Sequence, residues 1–167
     1  MKENGINVRL RKLAADFARL VIERFAGNAV SIVLFGSVAR GEANPSSDID
    51  LIIIMRSLPD GRLARNRIME PIEEKLEGEF DDLRHEGIFS ELNYFLKTTA
   101  EARHVRPLFF DLTEDAVYLR DEGGFFKGII GKLKKRMADL GSKRKKIGSV
   151  RYWEIKPGIK WEEEFTI

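Results

Sequence analysis

Cysteine is absent from this sequence of 167 residues, and histidine occurs only twice, as His85 and His104. Without cysteine there is no disulfide framework and no cysteine-based zinc site, and two histidines are too few for a histidine metal cage. No apolar run approaches the roughly 20 residues that span a bilayer, and the first residues lack the basic and then apolar layout of a secretory signal. The composition therefore predicts a cytoplasmic protein that is not bound to a membrane.

Net charge is also small, at +2, but it is unevenly distributed along the chain. Residues 132–151 contain nine basic residues and one acidic residue, so this segment carries a net charge of +8 and the remainder is acidic. Such a basic segment is typical of a surface that meets nucleic acid or phosphate groups. The alternative is a solvated helix face followed by a flexible loop over residues 141–148.

Hydrophobic periodicity predicts an alternation of helices and strands around one core. Apolar residues at three- and four-residue steps predict long amphipathic helices at residues 7–25, 63–80 (with a kink or restart at Pro71) and 125–140. Apolar and aromatic runs predict strands at residues 30–35, 48–55, 88–96, 116–120 and 150–156. Short helical stretches are expected at residues 108–111 and after Thr98, which begins a capping-box pattern with Glu101. Residues 159–167 are expected to form a short closing segment.

The most informative stretch is residues 33–55, where one apolar run stops at Gly36-Ser37 and the next opens with Asp48-Ile49-Asp50. Residues two apart on a strand project to the same face, so Asp48 and Asp50 are expected to point the same way. Two like charges there repel unless a cation lies between them, and oxygen ligands of this kind suit Mg²⁺. The pair therefore predicts a metal site at the mouth of a central strand.

The turn before the aspartates has the features of a phosphate-binding loop. Gly36 lacks a Cβ, so a ligand can approach the backbone closely, and Ser37 offers a hydroxyl at the start of a short helix that ends near Arg40. Arg40 adds a planar, permanent positive charge. Each signal alone is weak, because Gly-Ser turns and Asp-x-Asp patterns are common, but their order and spacing make the combination more specific.

This combination of motifs resembles the glycine-serine and paired-aspartate signature of the nucleotidyltransferase superfamily related to DNA polymerase beta. The resemblance is greatest to its minimal, antitoxin-like branch, where Leu-Phe-Gly-Ser-x-Ala-Arg-Gly and Ser-Asp-Ile-Asp-Leu recur. It implies a fold of the α/β (α+β) class, with a small mixed sheet, helices on one face and the metal site at the strand mouths. The nucleotidyltransferase domain is expected at residues 1–120, and a C-terminal basic helix and strand at residues 121–167 are expected to pack on it.

In the resembled superfamily a third acidic residue, on the strand next to the aspartate pair, completes the metal site. Glu91 is the only acidic residue inside the predicted third strand, so the resemblance assigns it this role, the alternative being an edge or surface residue. Asp48, Asp50 and Glu91 would then be the catalytic residues that hold two Mg²⁺ ions. Gly36, Ser37 and Arg40 would bind the nucleotide, with ATP as the default NTP.

Three functional classes follow from the resemblance and the charge distribution. The first is a metal-dependent enzyme that transfers a nucleoside monophosphate from an NTP to a hydroxyl of a protein, RNA or small molecule and releases pyrophosphate. The second is a catalytically weak or inactive nucleotide-binding module, an antitoxin-like partner of a separate helical toxin-like protein. The third is a nucleic-acid-binding protein that uses the basic C-terminal segment.

Overall fold

The computed structural model describes residues 5–148, 150–158 and 167, and it is a mixed α/β structure. Its α-helices are α1 (Gly5–Arg24), α2 (Gly36–Arg40), α3 (Arg62–Arg67), α4 (Glu70–Glu73), α5 (Glu77–His85), α6 (Leu108–Asp115) and α7 (Phe125–Asp139). Its strands are β1 (Ala29–Phe35), β2 (Ile49–Met55), β3 (Leu92–Thr98), β4 (Val117–Asp121), β5 (Lys143–Ile147) and β6 (Val150–Glu154). Among the described residues, none of the helices is long and apolar enough to cross a bilayer.

Four strands form a mixed sheet in the order β3-β2-β1-β4. β1 is antiparallel to β2 and to β4, whereas β2 and β3 are parallel. The central strands β1 and β2 consist almost wholly of buried residues, as expected for apolar strands that are covered on both faces. Helices α3, α4 and α5 form the long crossover that the parallel pair requires.

Helices cover both faces of the sheet, so the expectation of helices on one face was wrong. Alternate strand residues, including Ile32 and Ile53, pack with α1 and the crossover helices in one hydrophobic cluster. The intervening residues, including Val33 and Ile52, pack with α6 and α7 in a second cluster. Because both central strands are apolar on both faces, each face needs its own cover of helices.

The crossover is less regular than the predicted helix over residues 63–80. It is divided into α3, α4, a 3-10 turn (Glu74–Leu76) and α5, and it continues past Phe80 to His85. Pro71 lies in the first turn of α4, which confirms the predicted restart, because proline is tolerated where no helical N–H bond is needed.

Strand β3 begins at Leu92, four residues later than predicted. The preceding backbone is used elsewhere: Ile88 N–H donates to Leu83 O (2.9 Å) and Phe89 N–H to Pro45 O (2.7 Å). The predicted capping box after β3 is confirmed, since Glu101 N–H donates to Thr98 Oγ1 (3.1 Å) and Thr98 N–H to Glu101 Oε2 (2.8 Å).

The C-terminal part contains a hairpin where a loop had been considered. Residues 143–147 form β5, antiparallel to β6, with Lys145 opposite Tyr152, so the flexible-loop interpretation of residues 141–148 was wrong. The predicted strand after residue 150 is confirmed by β6. The predicted closing segment at residues 159–167 lies outside the described residues except for Ile167.

Candidate active site

The candidate site lies where three strands meet at one end of the sheet. The C-terminal residue of β1, Phe35, is opposite Asp50 near the start of β2, and Asp50 is opposite Asn93 near the start of β3. The turn into α2 begins at Gly36, directly after β1. Sheet topology thus places the Gly36-Ser37 turn and the two aspartates, more than ten positions apart in the sequence, at the same place.

Both aspartates use one carboxylate oxygen to bind β3 or the residue before it. Asp48 Oδ1 accepts the backbone N–H of Glu91 (3.1 Å), and Asp50 Oδ1 accepts the side-chain amide of Asn93 (2.9 Å). Within the described residues, neither Oδ2 atom has a hydrogen-bond partner. The carboxylates are therefore oriented by one oxygen while the other remains available to a ligand.

Gly36 lies directly against the Asp50 carboxylate. Its backbone has φ +75°, and a Cβ added there would lie 2.3 Å from Asp50 Oδ2. Any other residue would meet both the strain of the left-handed region and a collision with a carboxylate. The position requires glycine because the turn and the aspartate approach each other so closely.

The Asp50 carboxylate lies in an environment that disfavours its charge. Burial raises the pKa of Asp50 above its ordinary value, and the negative charge of Asp48 raises it further. The hydrogen bond from Asn93 and the positive charge of Arg40 only partly offset these effects. A bound cation would remove this unfavourable electrostatic interaction.

The hydroxyl of Ser37 has no hydrogen-bond partner among the described residues, although the residue is half-buried at the start of α2. Its carbonyl accepts the N–H of Glu42 (2.9 Å), which closes this short helix. The side chain is therefore free to donate to a ligand beside Asp50.

Arg40 is held beside the site by two acidic residues. Its Nε donates to Glu42 (2.8 Å) and its Nη1 to Asp115 on α6 (2.9 Å). Its charge acts on Asp50, but two sides of its guanidinium are occupied by protein carboxylates. The predicted direct contact between Arg40 and the nucleotide is therefore limited to the remaining side of the guanidinium.

The same two acidic residues anchor the β5-β6 hairpin. Arg144 on β5 donates to Asp115 (2.8 Å) and stacks on Trp153, whereas Arg151 on β6 donates to Glu42 (3.0 Å). Two of the nine basic residues counted in the sequence are thus engaged in ion pairs that bind the hairpin beside the site.

Acid is expected to loosen this attachment. Hydrogen bonds from Arg151 and Arg40 lower the pKa of Glu42 from 4.5 to about 2. A lowered folded-state pKa means that the unfolded chain binds more protons at intermediate pH, so this stabilisation is full above pH 4.5 and is lost as the pH falls toward 2. We expect Trp153 fluorescence, measured in a Trp161→Phe background, to change in this window before the far-ultraviolet circular dichroism does.

The control for this titration is Glu42→Gln, which should reduce the pH dependence of the Trp153 signal because the titrating group is gone. A Trp153 signal that stays flat until the whole protein unfolds would contradict the anchoring role of Glu42.

Glu91 lies next to the aspartates through its backbone, one residue before β3. Besides donating to Asp48, it accepts the N–H of Ile49 through its carbonyl (2.9 Å), and its side chain is exposed. In the part of the chain that the structure describes, no group of three or more acidic, histidine or cysteine residues is arranged to hold a metal ion. The participation of Glu91 in metal binding therefore stays a prediction.

Comparison with protein families shows the family of this chain. Residues 14–105, more than half of the chain, match the family model described as "Nucleotidyltransferase domain". The chain belongs to the nucleotidyltransferase family. This confirms both the resemblance inferred from the motifs and the expected enzyme class, and the matched region contains Gly36, Ser37, Asp48, Asp50 and Glu91.

One curated relative of this nucleotidyltransferase is a Methanocaldococcus jannaschii protein named "Putative protein adenylyltransferase MJ1305", 36% identical over 63 residues. The match covers 38% of this chain and 43% of the relative, so the chain spans less than half of that protein's length.

Similar solved structures include a toxin-antitoxin complex with AMP-PNP (17% identity, 76% of this chain, 92% of the other, TM-score 0.46). Another is a complex of a tri-AMPylated Shewanella oneidensis HEPN toxin with an MNT antitoxin (15% identity, 78% of this chain, 92% of the other, TM-score 0.44). Structural similarity at such low sequence identities and TM-scores carries no conclusion about function.

Two features of this candidate site were not predicted from the sequence. One is Asn93, which holds Asp50; a correct strand register would have placed it opposite Asp50. The ion pairs from Asp115 to Arg40 and Arg144 join residues far apart in the chain, so no local pattern could have shown them.

Proposed function

We propose that the chain transfers a nucleoside monophosphate from an NTP, with ATP as the first candidate, to a hydroxyl group of an acceptor and releases pyrophosphate. The observation that carries this proposal is the contact between the Gly36 turn and the Asp50 carboxylate, which joins a phosphate-sized turn to a pair of oriented aspartates. The curated relative is named as a protein adenylyltransferase, so the first candidate for the acceptor is a protein hydroxyl and the first candidate for the transferred group is AMP.

The residues present fit a divalent cation such as Mg²⁺. The donor set consists of two hard carboxylate oxygens that have no hydrogen-bond partner among the described residues, and the missing Cβ of Gly36 lets the Asp50 carboxylate lie directly against the turn. Asp48 and Asp50 would hold the cation, with Glu91 proposed as a further ligand for a second ion. When bound, the cation would neutralise charge on the phosphate oxygens.

The protein's own groups would position the reactants for in-line displacement. The backbone at Gly36 and the Ser37 hydroxyl bind phosphate oxygens, and Arg40, fixed by Asp115, adds positive charge from one side. The acceptor oxygen forms a bond to the α-phosphorus as the bond to the bridging oxygen breaks. Pyrophosphate leaves with that electron pair, and the hydroxyl proton passes to solvent.

Ser37→Ala should weaken NTP binding by about 1 kcal/mol, the usual net value of one hydrogen bond, or up to ~3 if the bond is to a charged phosphate oxygen. Calorimetry with NTP and Mg²⁺ measures the effect. Ser46→Ala, a change of the same chemistry in the exposed loop before Asp48, is the matched control. Equal affinity of Ser37→Ala and wild type would show that the hydroxyl does not touch the phosphates.

The acceptor can be identified by incubating the protein with each α-labelled NTP, Mg²⁺ and total cell extract. Labelling of one protein band would support the proposal in its protein-acceptor form, and labelling of RNA would direct the search to nucleic acid. NTP binding without transfer to any macromolecule or small molecule would favour the antitoxin-like alternative, in which the domain binds nucleotide and a helical toxin-like partner.

The basic C-terminal segment supports RNA as an alternative acceptor or ligand. Fewer of its basic residues are available to RNA than the nine counted in the sequence. Within the described part of the basic segment, residues 132–151, four exposed lysines of α7 and β5 form no ion pair: Lys132, Lys135, Lys143 and Lys146. We keep residues 121–167 as a proposed extension that carries this surface.

Reversing these four lysines to glutamate should flatten the salt dependence of RNA binding, because each phosphate contact contributes a log–log slope of about −0.7 on single strands. Arg144 must be left intact, since it anchors the hairpin. RNA binding across a salt series, by wild type and variant, is the measurement. An identical slope in both proteins would remove the RNA interpretation.

A further inference from the structure

Strand β3 forms an open edge of the sheet right beside the candidate site. It pairs only with β2, and no described strand lies on its outer side. In the parallel ladder, Glu91 and Thr99 bond inward, through Glu91 O to Ile49 N–H and Thr99 N–H to Met55 O, at 2.9 Å each. Since strand residues alternate in direction, the even-numbered residues direct their N–H and C=O groups outward.

The outward groups of β3 are available over most of the strand. Thr98 N–H is satisfied by the Glu101 carboxylate at the far end. Leu92, Tyr94 and Leu96 direct their main-chain groups to the open side, and no partner for them occurs among the described residues. Protected edges usually contain proline, a bulge or a covering element, and β3 has neither of the first two.

A cavity of about 740 Å³ runs along this edge between β3 and α3. It is lined by the whole run from Leu92 to Lys97, by Arg62 and Arg65 on α3, and by Glu101 just after β3. This run includes Phe95, which is 41% exposed, and Asn93, the residue that holds Asp50. The cavity therefore leads along the free main-chain groups of β3 to the carboxylate pair.

The two ends of this edge differ in charge. At the end near Asp50, a second cavity of about 430 Å³ is lined by Glu70, Glu74, Glu77 and Glu91, which form no ion pair within the described residues. Arg84 also lines this cavity, but its charge is paired with Asp81. At the other end, the first cavity is lined by Arg62 and Lys97, and neither cation has an ion-pair partner among the described residues.

We propose that the open edge of β3 is the docking site for an extended segment of the acceptor protein, which adds to the sheet as a further strand. The segment carries basic residues next to the hydroxyl that is modified and acidic residues farther along, complementary to the two ends of the edge. The proposal rests on the proposed nucleotidyl transfer for its purpose, but strand addition itself needs no NTP.

Geometry connects this docking strand to the chemistry. An added strand would lie two strand spacings, about 10 Å, from β2 and Asp50. Its side chains on the Asp50 face would point across Asn93 toward the aspartates, whereas the nucleotide phosphates would approach from the opposite side, at Gly36, where β1 leads into α2. The donor and acceptor thus reach Asp50 from different sides.

The test uses short strand-forming peptides with one tyrosine, lysines beside it and glutamates at the far end, made in both chain directions. Binding is measured by fluorescence anisotropy without NTP, and peptides with the lysines and glutamates exchanged are the controls. For the peptide that binds, N-methylation of alternate amides in one register should weaken binding by about 10-fold or more, since it removes several main-chain hydrogen bonds at once. Methylation in the other register should have little effect.

Matched protein variants test the charge pattern. Arg62→Glu should weaken binding by about three- to fivefold, as expected for an exposed ion pair, while Arg67→Glu on the same helix, outside the cavity, should not. Glu77→Lys should likewise weaken binding, whereas Glu79→Lys on the same helix, outside the acidic cavity, should not.

Three results would overturn the proposal. The first is an equal loss of binding for both N-methyl registers, since strand addition uses only one of them. The second is equal binding by the cavity variants and their controls. The third is a self-association of the protein that blocks the peptides, which would assign the edge to a second copy of this chain. A failure of NTP binding or transfer, measured separately, would bear on the proposed function and not on docking.

Discussion

Replacing both aspartates, in the double variant Asp48→Asn and Asp50→Asn, is expected to abolish metal-dependent NTP binding while leaving the protein folded. Metal coordination contributes several kcal/mol, so the apparent affinity for NTP with Mg²⁺ should fall by at least about 100-fold. The melting temperature should be unchanged or higher, because burial and the charge of Asp48 disfavour the ionised form of Asp50 in the folded protein. Calorimetry for binding and a thermal scan for stability measure the two effects.

The matched control is Asp81→Asn with Asp82→Asn, which removes the same charge from the exposed surface of α5. This control should bind NTP as the wild type does. If the site variant also retained its affinity for NTP with Mg²⁺, the assignment of the metal site to Asp48 and Asp50 would be wrong.

Gly36→Ala should be nearly as damaging, and it should act on both stability and binding. Alanine at φ +75° costs about 1–2 kcal/mol, and its Cβ would also lie 2.3 Å from Asp50 Oδ2. The turn or the carboxylate must move, so we expect NTP affinity to fall by at least about tenfold, since a misplaced ligand loses more than one hydrogen bond to phosphate.

Gly41→Ala separates backbone strain from the effect on the site. Gly41 has φ +78°, but a Cβ there would meet no atom within 4 Å. It should therefore lose similar stability through its backbone and little NTP affinity. Equal NTP affinities of the two variants would show that the Gly36 turn is only structural.

The motif was predictable from the sequence because its parts are local or follow from strand direction. Gly36 ends an apolar run, and Asp48 and Asp50 open another, so two strands and a turn were enough to bring them together. Apolar runs likewise predicted the central strands, the position of Pro71 predicted the restart, and the spacing of Thr98 and Glu101 predicted the capping box. The roles assigned to the site residues stay predictions until they are measured.

The features that sequence reasoning missed depend on long-range pairing. The start of β3 was misplaced because Phe89 N–H bonds to Pro45, a contact that apolar periodicity does not contain. One interpretation of the basic segment placed a flexible loop at residues 141–148, but alternation along β5 turns Arg144 inward to Asp115 while Lys145 pairs with Glu154. Charge alone does not show which cations are used within the fold.

That helices cover the second face of the sheet was not predicted, for a related reason. Helix α7 was predicted as an amphipathic helix of a C-terminal extension that packs on the domain, but this pattern did not show which face of the sheet it covers. Its apolar side packs against β1 and α6, with Phe126 and Phe109 in edge-to-face contact at 5.2 Å between ring centroids. A pattern of apolar residues shows which face of a helix is buried but not which surface it packs against.

The central claim is tested most directly by following the two ends of a labelled NTP in the same reaction with cell extract and Mg²⁺. We predict that label from the α-phosphate, and not from the γ-phosphate, becomes attached to an acceptor, that pyrophosphate is released, and that both are lost in the Asp48→Asn, Asp50→Asn variant. Transfer of the γ-label, or no transfer of either label by a protein that still binds NTP, would contradict a nucleotidyltransferase activity at this site.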